Sequence, residues 1–207
     1  MRVEKVEALS EEQLAVRLED GSTLRCGPKE ALDFGLRAGL ELDGETLERL
    51  REACAFWAVR RQAASLLSRR AMSAGELKQK LRDKGADPEL AEQAADRLLD
   101  LGAIDEEAYA AMVVRHYAAK GYGARRIEQE LYRHKLPRET WAKALEELPD
   151  SRDKLDALVR RRLQSAPIDR QGLKKLADSL LRRGYGWEEV RAAIARNTAQ
   201  EDNEFDD

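Results

Sequence analysis

The sequence predicts a mainly all-α protein: three tandem three-helix repeats in an elongated array, preceded by a small strand-containing N-terminal module. Three observations carry that expectation. Of 207 residues, 43% are hydrophobic and 37% charged but only 5% aromatic, and Ala, Leu, Glu and Arg are abundant, a helix-forming composition. From about residue 45 onward, apolar residues recur at helical spacing with a period near 50. Before that point they alternate with period two.

The N-terminal module covers residues 1–45. Val3, Val6 and Ala8, then Leu14, Val16 and Leu18, stand between polar neighbours, and Glu19-Asp20-Gly21-Ser22 follows as a turn signal before Thr23-Leu24-Arg25-Cys26. Alternation around an Asp-Gly turn is a hairpin pattern. Gly27-Pro28 breaks the chain, and Lys29 to Arg37 reads as a short helix with Gly39 just past its end.

The helical repeats occupy residues 46–104, 105–150 and 151–200. Each holds two apolar anchors four residues apart and a Gly or Lys four further on: Leu77, Leu81 and Gly85; Ile127, Leu131 and Lys135; Leu176, Leu180 and Gly184. The register persists downstream through Ala91, Trp141 and Val190, then Ala94, Ala144 and Ala193, then Ala95, Leu145 and Ile194. Amphipathic stretches at 55–70, 106–119 and 152–164 precede the anchors, so each unit is read as three short helices. Ser73-x-x-Glu76 has capping-box form, and Asp105 and Asp169 stand where helix caps are needed. Gly85 and Gly184 fit positions just past helix ends, and Pro88 and Pro137 fit first turns.

The net charge of −3 argues against a generic nucleic-acid binder, but it averages over a pattern. Residues 1–56 carry −5, residues 57–200 carry +7 and the acidic tail, 201–207, carries −5. By repeat the values are +2 over 57–104, −1 over 105–150 and +6 over 151–200, where Arg160-Arg161-Arg162 forms a run. Positions one before and six after the first anchor share a helix stripe. That stripe holds Arg126 and Arg133 in the second repeat, Lys175 and Arg182 in the third, and Glu76 and Asp83 in the first. The second and third repeats are thus expected to face anions, and the first to do something different. The tail is expected to be disordered and to screen the third repeat from non-specific DNA.

Catalytic constellations are not found. Cys26 and Cys54 lack zinc spacing and read as ordinary, partly buried thiols of a reducing compartment. His116 and His134 have no partner at ligand spacing and read as helix-surface polar residues. Gly121-Tyr122-Gly123 reads as a connector, not a phosphate loop. The expectation is a non-enzymatic, cofactor-free, cytoplasmic monomer without a membrane span.

Three segments carry a resemblance. Residues 66–85, Leu-Leu-Ser-Arg-Arg-Ala-Met-Ser-Ala-Gly-Glu-Leu-Lys-Gln-Lys-Leu-Arg-Asp-Lys-Gly, resemble the stretch that opens the repeats of RecX regulatory proteins. Leu101-Gly102-Ala103-Ile104-Asp105-Glu106-Glu107-Ala108-Tyr109-Ala110 and Gly123-Ala124-Arg125-Arg126-Ile127-Glu128-Gln129-Glu130-Leu131 are similar to two later motifs of that family, in the same order. The match spans about residues 55–197. Ala103 replaces a usual aromatic, Glu106 the second Asp, Ala71-Met72 a stretch that often holds a basic residue, and Lys135 a glycine.

The resemblance implies a modulator of RecA recombinase, mainly negative. It would bind the RecA–single-stranded-DNA filament and limit its growth, ATP hydrolysis, strand exchange and coprotease activity, in DNA repair and the SOS response. Single- or double-stranded DNA would be a weaker partner. The candidate contact residues are Arg69 and Arg70; Arg125, Arg126 and Arg133; and Arg160, Arg161, Arg162, Lys174, Lys175, Arg182 and Arg183. The alternatives are a stand-alone DNA-binding helical-repeat protein and a generic protein–protein adaptor.

Overall fold

The computed structural model describes residues 1–148, 150–165 and 169–204, with side chains through Thr198. The chain divides into two compact units, Met1–Ile104 and Asp105–Asp207.

In the first unit, strands β1 (Val3–Ser10), β2 (Gln13–Leu18) and β3 (Thr23–Cys26) form an antiparallel sheet in that order. The register places Val6 opposite Val16 and Leu14 opposite Cys26. The second hairpin turns at the expected Asp20-Gly21. Gly21 takes φ 82°, and the Asp20 carboxylate accepts from Ser22 N at 2.9 Å and Ser22 Oγ at 2.6 Å. Helix α1 (Pro28–Asp33) is shorter than the expected Lys29 to Arg37, because the chain turns left-handed at Gly35, φ 57°. Helices α2 (Gly44–Leu67), α3 (Ala74–Asp83) and α4 (Pro88–Asp100) follow.

Helix α2 serves both parts of this unit. Its first half places Leu47, Leu50 and Cys54 on the sheet residues Val3, Val16, Leu18 and Cys26. Its second half supplies Val59 and Ala63 to the core of the first repeat, with Met72, Leu77, Leu81, Ala91 and Ala94. The N-terminal module therefore completes its core beyond residue 45, on a helix it shares with the repeat. Cys26 and Cys54 are free and buried. The Cys54 thiol is pushed up first by its hydrogen bond with Cys26 and then by burial.

The second unit contains α5 (Glu106–Ala119), α6 (Ala124–Arg133), α7 (Glu139–Glu146), α8 (Arg152–Leu163), α9 (Arg170–Arg182) and α10 (Trp187–Glu204). One core gathers Tyr109, Val113, Val114, Ile127, Leu131 and Ala144 from α5 to α7. Another gathers Leu155, Val159, Leu176, Leu180, Tyr185 and Val190 from α8 to α10. Of the tail expected to be disordered, 201–207, the backbone of residues 201–204 belongs to α10, and residues 205–207 lie outside the described residues.

The repeat register holds in three dimensions. The six anchors are all buried, and Gly85, Lys135 and Gly184 all take positive φ, of 87°, 52° and 91°. Lys135 is the one non-glycine residue in that region among the described residues. Ser73, Asp105 and Asp169 cap their helices, accepting from Glu76 N at 3.0 Å, Ala108 N at 2.8 Å and Gly172 N at 2.7 Å. Pro88 opens α4, whereas Pro137 stays outside α7. Its carbonyl instead accepts the Thr140 hydroxyl at 2.8 Å.

Candidate nucleic-acid and partner interface

Some of the basic residues of the second unit stand where two loops meet. Past α5, Gly121 turns the chain at φ 74°; past α9, Gly184 does so at φ 91°. Gly123 N then donates to Arg183 O at 2.9 Å, and Arg125 N to Gly184 O at 3.2 Å. Two otherwise orphaned N–H groups at the start of α6 thus find carbonyls at the end of α9. A side chain at Gly123 would meet the Gly184 carbonyl, and one at Gly184 would meet the backbone of Arg126. Only glycine on both sides permits this approach.

The carbonyls at the end of α5 are capped from the third repeat. Lys154 Nζ donates to Ala118 O at 2.9 Å, and the buried Tyr185 hydroxyl to Gly121 O at 3.2 Å. Arg183 Nη1 reaches Lys120 O at 3.5 Å, and its guanidinium lies 5.7 Å from the Tyr122 ring centroid. Burial raises the Tyr185 phenol above its ordinary value, with Arg183 opposing.

Around this junction stand Arg125, Arg126, Arg182 and Arg183, while Arg133 lies at the far end of α6. Arg126 and Arg133 grip one carboxylate, Glu130, at 2.8 and 3.3 Å. Glu130 is 2% exposed. It also pushes up the Tyr117 phenol, though burial of that ring is the larger cause. The pair of arginines is fixed by this shared anion and keeps one positive charge in excess. Arg182 and Arg183 sit at the end of α9, where cations suit the helix dipole. Arg125 sits in the first turn of α6, where a cation opposes the dipole, and it has no ion pair among the described residues. Helix stability gives no reason for that choice; attraction of an external anion does.

The remaining predicted residues fall elsewhere. Lys175 is exposed on α9, on the stripe with Arg182, and Lys174 lines the groove between α9 and α10. Arg160, Arg161 and Arg162 are exposed on the last turn of α8, where Arg162 donates to Ser165 Oγ at 2.8 Å. Arg69 and Arg70 belong to the first unit. Arg70 grips the Glu76 carboxylate and donates to Ala71 O at 3.0 Å, which clamps the turn between α2 and α3. Glu76 is therefore engaged within the chain, and Asp83 accepts from Gln79 at 2.8 Å. The acidic stripe of the first repeat is thus occupied by neighbours.

His134 is more than a surface residue: its Nδ1 lies 3.0 Å from the hydroxyl of buried Tyr109. Among the described residues, no group of three His, Cys, Asp or Glu side chains is placed to hold a metal ion, and no helix is long and apolar enough to cross a membrane. Sequence reasoning missed Tyr122 as a platform for Arg183, and missed Lys120 and Lys154 at the junction. Tyr122 between two glycines is the signal that could have found it.

Comparison with known proteins bears on the fold and the family. Two family models match, the first three-helix domain of RecX over residues 60–98 and the second over 105–145. The regulatory protein RecX of Xanthomonas axonopodis pv. citri (strain 306) is 40% identical over 134 residues, 64% of this chain and 83% of that protein. The regulatory protein RecX of Pseudomonas savastanoi pv. phaseolicola is 40% identical over 130 residues, 62% of this chain and 84% of that protein. A crystal structure of regulatory protein RecX superposes with a TM-score of 0.74 at 21% identity, over 94% of this chain and 98% of its own. RecX from Lactobacillus salivarius superposes at 0.63, with 21% identity, over 70% and 97%. The structural matches speak for the fold, and the sequence relatives for the family: the chain belongs to the RecX family of regulatory proteins.

Proposed function

We propose that this protein modulates RecA recombinase. It binds the RecA–single-stranded-DNA filament and, mainly as an inhibitor, limits filament growth, ATP hydrolysis, strand exchange and coprotease activity. Its membership among regulatory proteins of the RecX type carries the reading. The junction supports it: Arg125, Arg126, Arg182 and Arg183 stand on the helix ends that meet backbone to backbone, and Arg125 opposes its own helix dipole. Such an array suits phosphates or acidic protein surfaces lining a nucleoprotein groove. In this reading ATP is hydrolysed by RecA alone, and this chain changes only how long subunits stay in the filament.

The test adds the protein to RecA, single-stranded DNA and ATP, and follows hydrolysis and filament length. Both fall at stoichiometric amounts, and the Arg125→Glu/Arg182→Glu variant does so less. No change in either would refute the reading and leave a generic adaptor. Tight, steeply salt-dependent DNA binding without any effect on RecA would instead indicate a stand-alone DNA-binding protein.

A further inference from the structure

The face between α9 and α10 carries an apolar groove of about 540 Å³. Its floor is aliphatic: Leu173, Ala177, Val190, Ile194 and Ala195. Trp187 stands at its edge, 53% exposed, a large area for one aromatic side chain to leave in water. Lys174 and Arg191 flank it, and neither has an ion pair among the described residues. Asp178 is the single carboxylate of the lining.

The sister repeats show what this place holds when it is closed. In the first repeat the same register is occupied by Lys78, Glu92 and Asp96 in place of Ala177, Arg191 and Ala195. Lys78 bridges both carboxylates, at 2.8 and 2.9 Å, and so ties α3 to α4 across the seam. In the second repeat Glu128 and Glu146 replace the two alanines, and Arg138 stands where the third repeat has Trp187. Arg138 lies over its own Trp141 ring, 5.5 Å from the centroid. In the third repeat alone, the seam loses its charged cover and gains an exposed indole.

We infer that the α9–α10 groove is a docking site for an amphipathic helix of a protein partner, one with apolar residues along one face and acidic residues beside it. The aliphatic floor suits side chains at i, i+3 or i+4 and i+7 of such a helix. The rim complements acid: Lys174 and Arg191 are uncompensated, in a stretch, residues 151–200, that carries +6. A single-stranded nucleic acid fits less well, since it needs successive aromatic platforms and this groove has one. The inference stands apart from the RecA reading, because the segment is defined by its chemistry and tested without RecA.

The probe is a fluorescein-labelled synthetic peptide of about 16 residues, with Leu at i, i+4, i+7 and i+11 and Glu and Ala elsewhere. Anisotropy of the full-length protein with this peptide shows saturable binding. An isomer with its leucines scattered around the helix binds at least about tenfold more weakly. The variant A177K/R191E/A195D, which rebuilds the first repeat's bridge, weakens binding by at least about tenfold, as does W187S, which removes the indole at an exposed position without adding charge. Absence of wild-type binding, equal binding of the scattered isomer, or unchanged affinity in W187S would each overturn the inference. Displacement of the peptide by an oligothymidine at lower concentration would overturn it in favour of a nucleic-acid groove.

Discussion

Replacing Gly184 by alanine separates two effects that are usually confounded. Gly85 and Gly184 hold the same register and nearly the same conformation, φ 87° and 91°. At Gly85 an added Cβ meets nothing within 4 Å. Gly85→Ala therefore carries only the left-handed penalty of about 1–2 kcal/mol, partly offset by about 0.4–1 kcal/mol from the stiffer unfolded chain. At Gly184 the same Cβ falls 2.5 Å from Arg126 Cβ and 2.9 Å from its Cα. Backbone cannot swing aside as a flexible side chain can. Overpacking adds about 1–3 kcal/mol, and each of the two inter-loop hydrogen bonds that opens adds about 1 kcal/mol. Gly184→Ala is therefore expected to destabilise the second unit by about 4–6 kcal/mol, against about 1 kcal/mol for Gly85→Ala in the first. Because the two sites lie in different units, native-state hydrogen exchange is the suitable assay. Protection of the Gly123 and Arg125 amides should collapse in Gly184→Ala and stay unchanged in Gly85→Ala. Destabilisations equal to within about 0.5 kcal/mol would refute the close-approach argument.

Three further outcomes are expected. Asp169→Ala removes the acceptor for Gly172 N and should lower the stability of the second unit by about 1 kcal/mol in urea denaturation. Tyr185 and Tyr117 have phenols raised by burial, so their contribution is complete below about pH 10 and is lost as pH climbs through the raised folded values. Tyr185→Phe should be about 1 kcal/mol less stable at neutral pH, having lost its bond to Gly121 O, yet fall off less steeply in alkali; an equal alkaline slope would count against the assignment. Charge reversal of Lys175 and Arg182 to Glu should weaken DNA binding and reduce the salt slope by about one for each phosphate that is no longer neutralised, and unchanged affinity at low salt would remove this stripe from the interface.

The repeats were legible because their anchors obey one short-range rule, and every anchor of that rule is buried. Even the exception was visible: Lys135 stands at a glycine register and takes φ 52° there, accepting a strain the sister repeats avoid. The hairpin at Asp20-Gly21 was legible for the same local reason. What the sequence hid is long-range. Nothing local says that Gly123 and Gly184 touch, or that Tyr185 caps the end of α5. Nor does charge patterning reveal that Arg70 is consumed by Glu76, since an ion pair across a turn depends on the turn's geometry. Pro137 misled because a proline before a helix and one in its first turn look alike in sequence.

The glycine junction also bears on where the chain can be cut. The boundary between the second and third repeats falls in a connecting segment and looks like a natural place to divide the protein. A fragment ending there would strip the Gly123 and Arg125 amides of their acceptors and the Lys120 and Gly121 carbonyls of their donors, and would leave Ala118 O with its local bond alone. The modules are consecutive along the chain, but each supplies the other's missing ends. The smallest piece of this half that retains its folded edges is the pair.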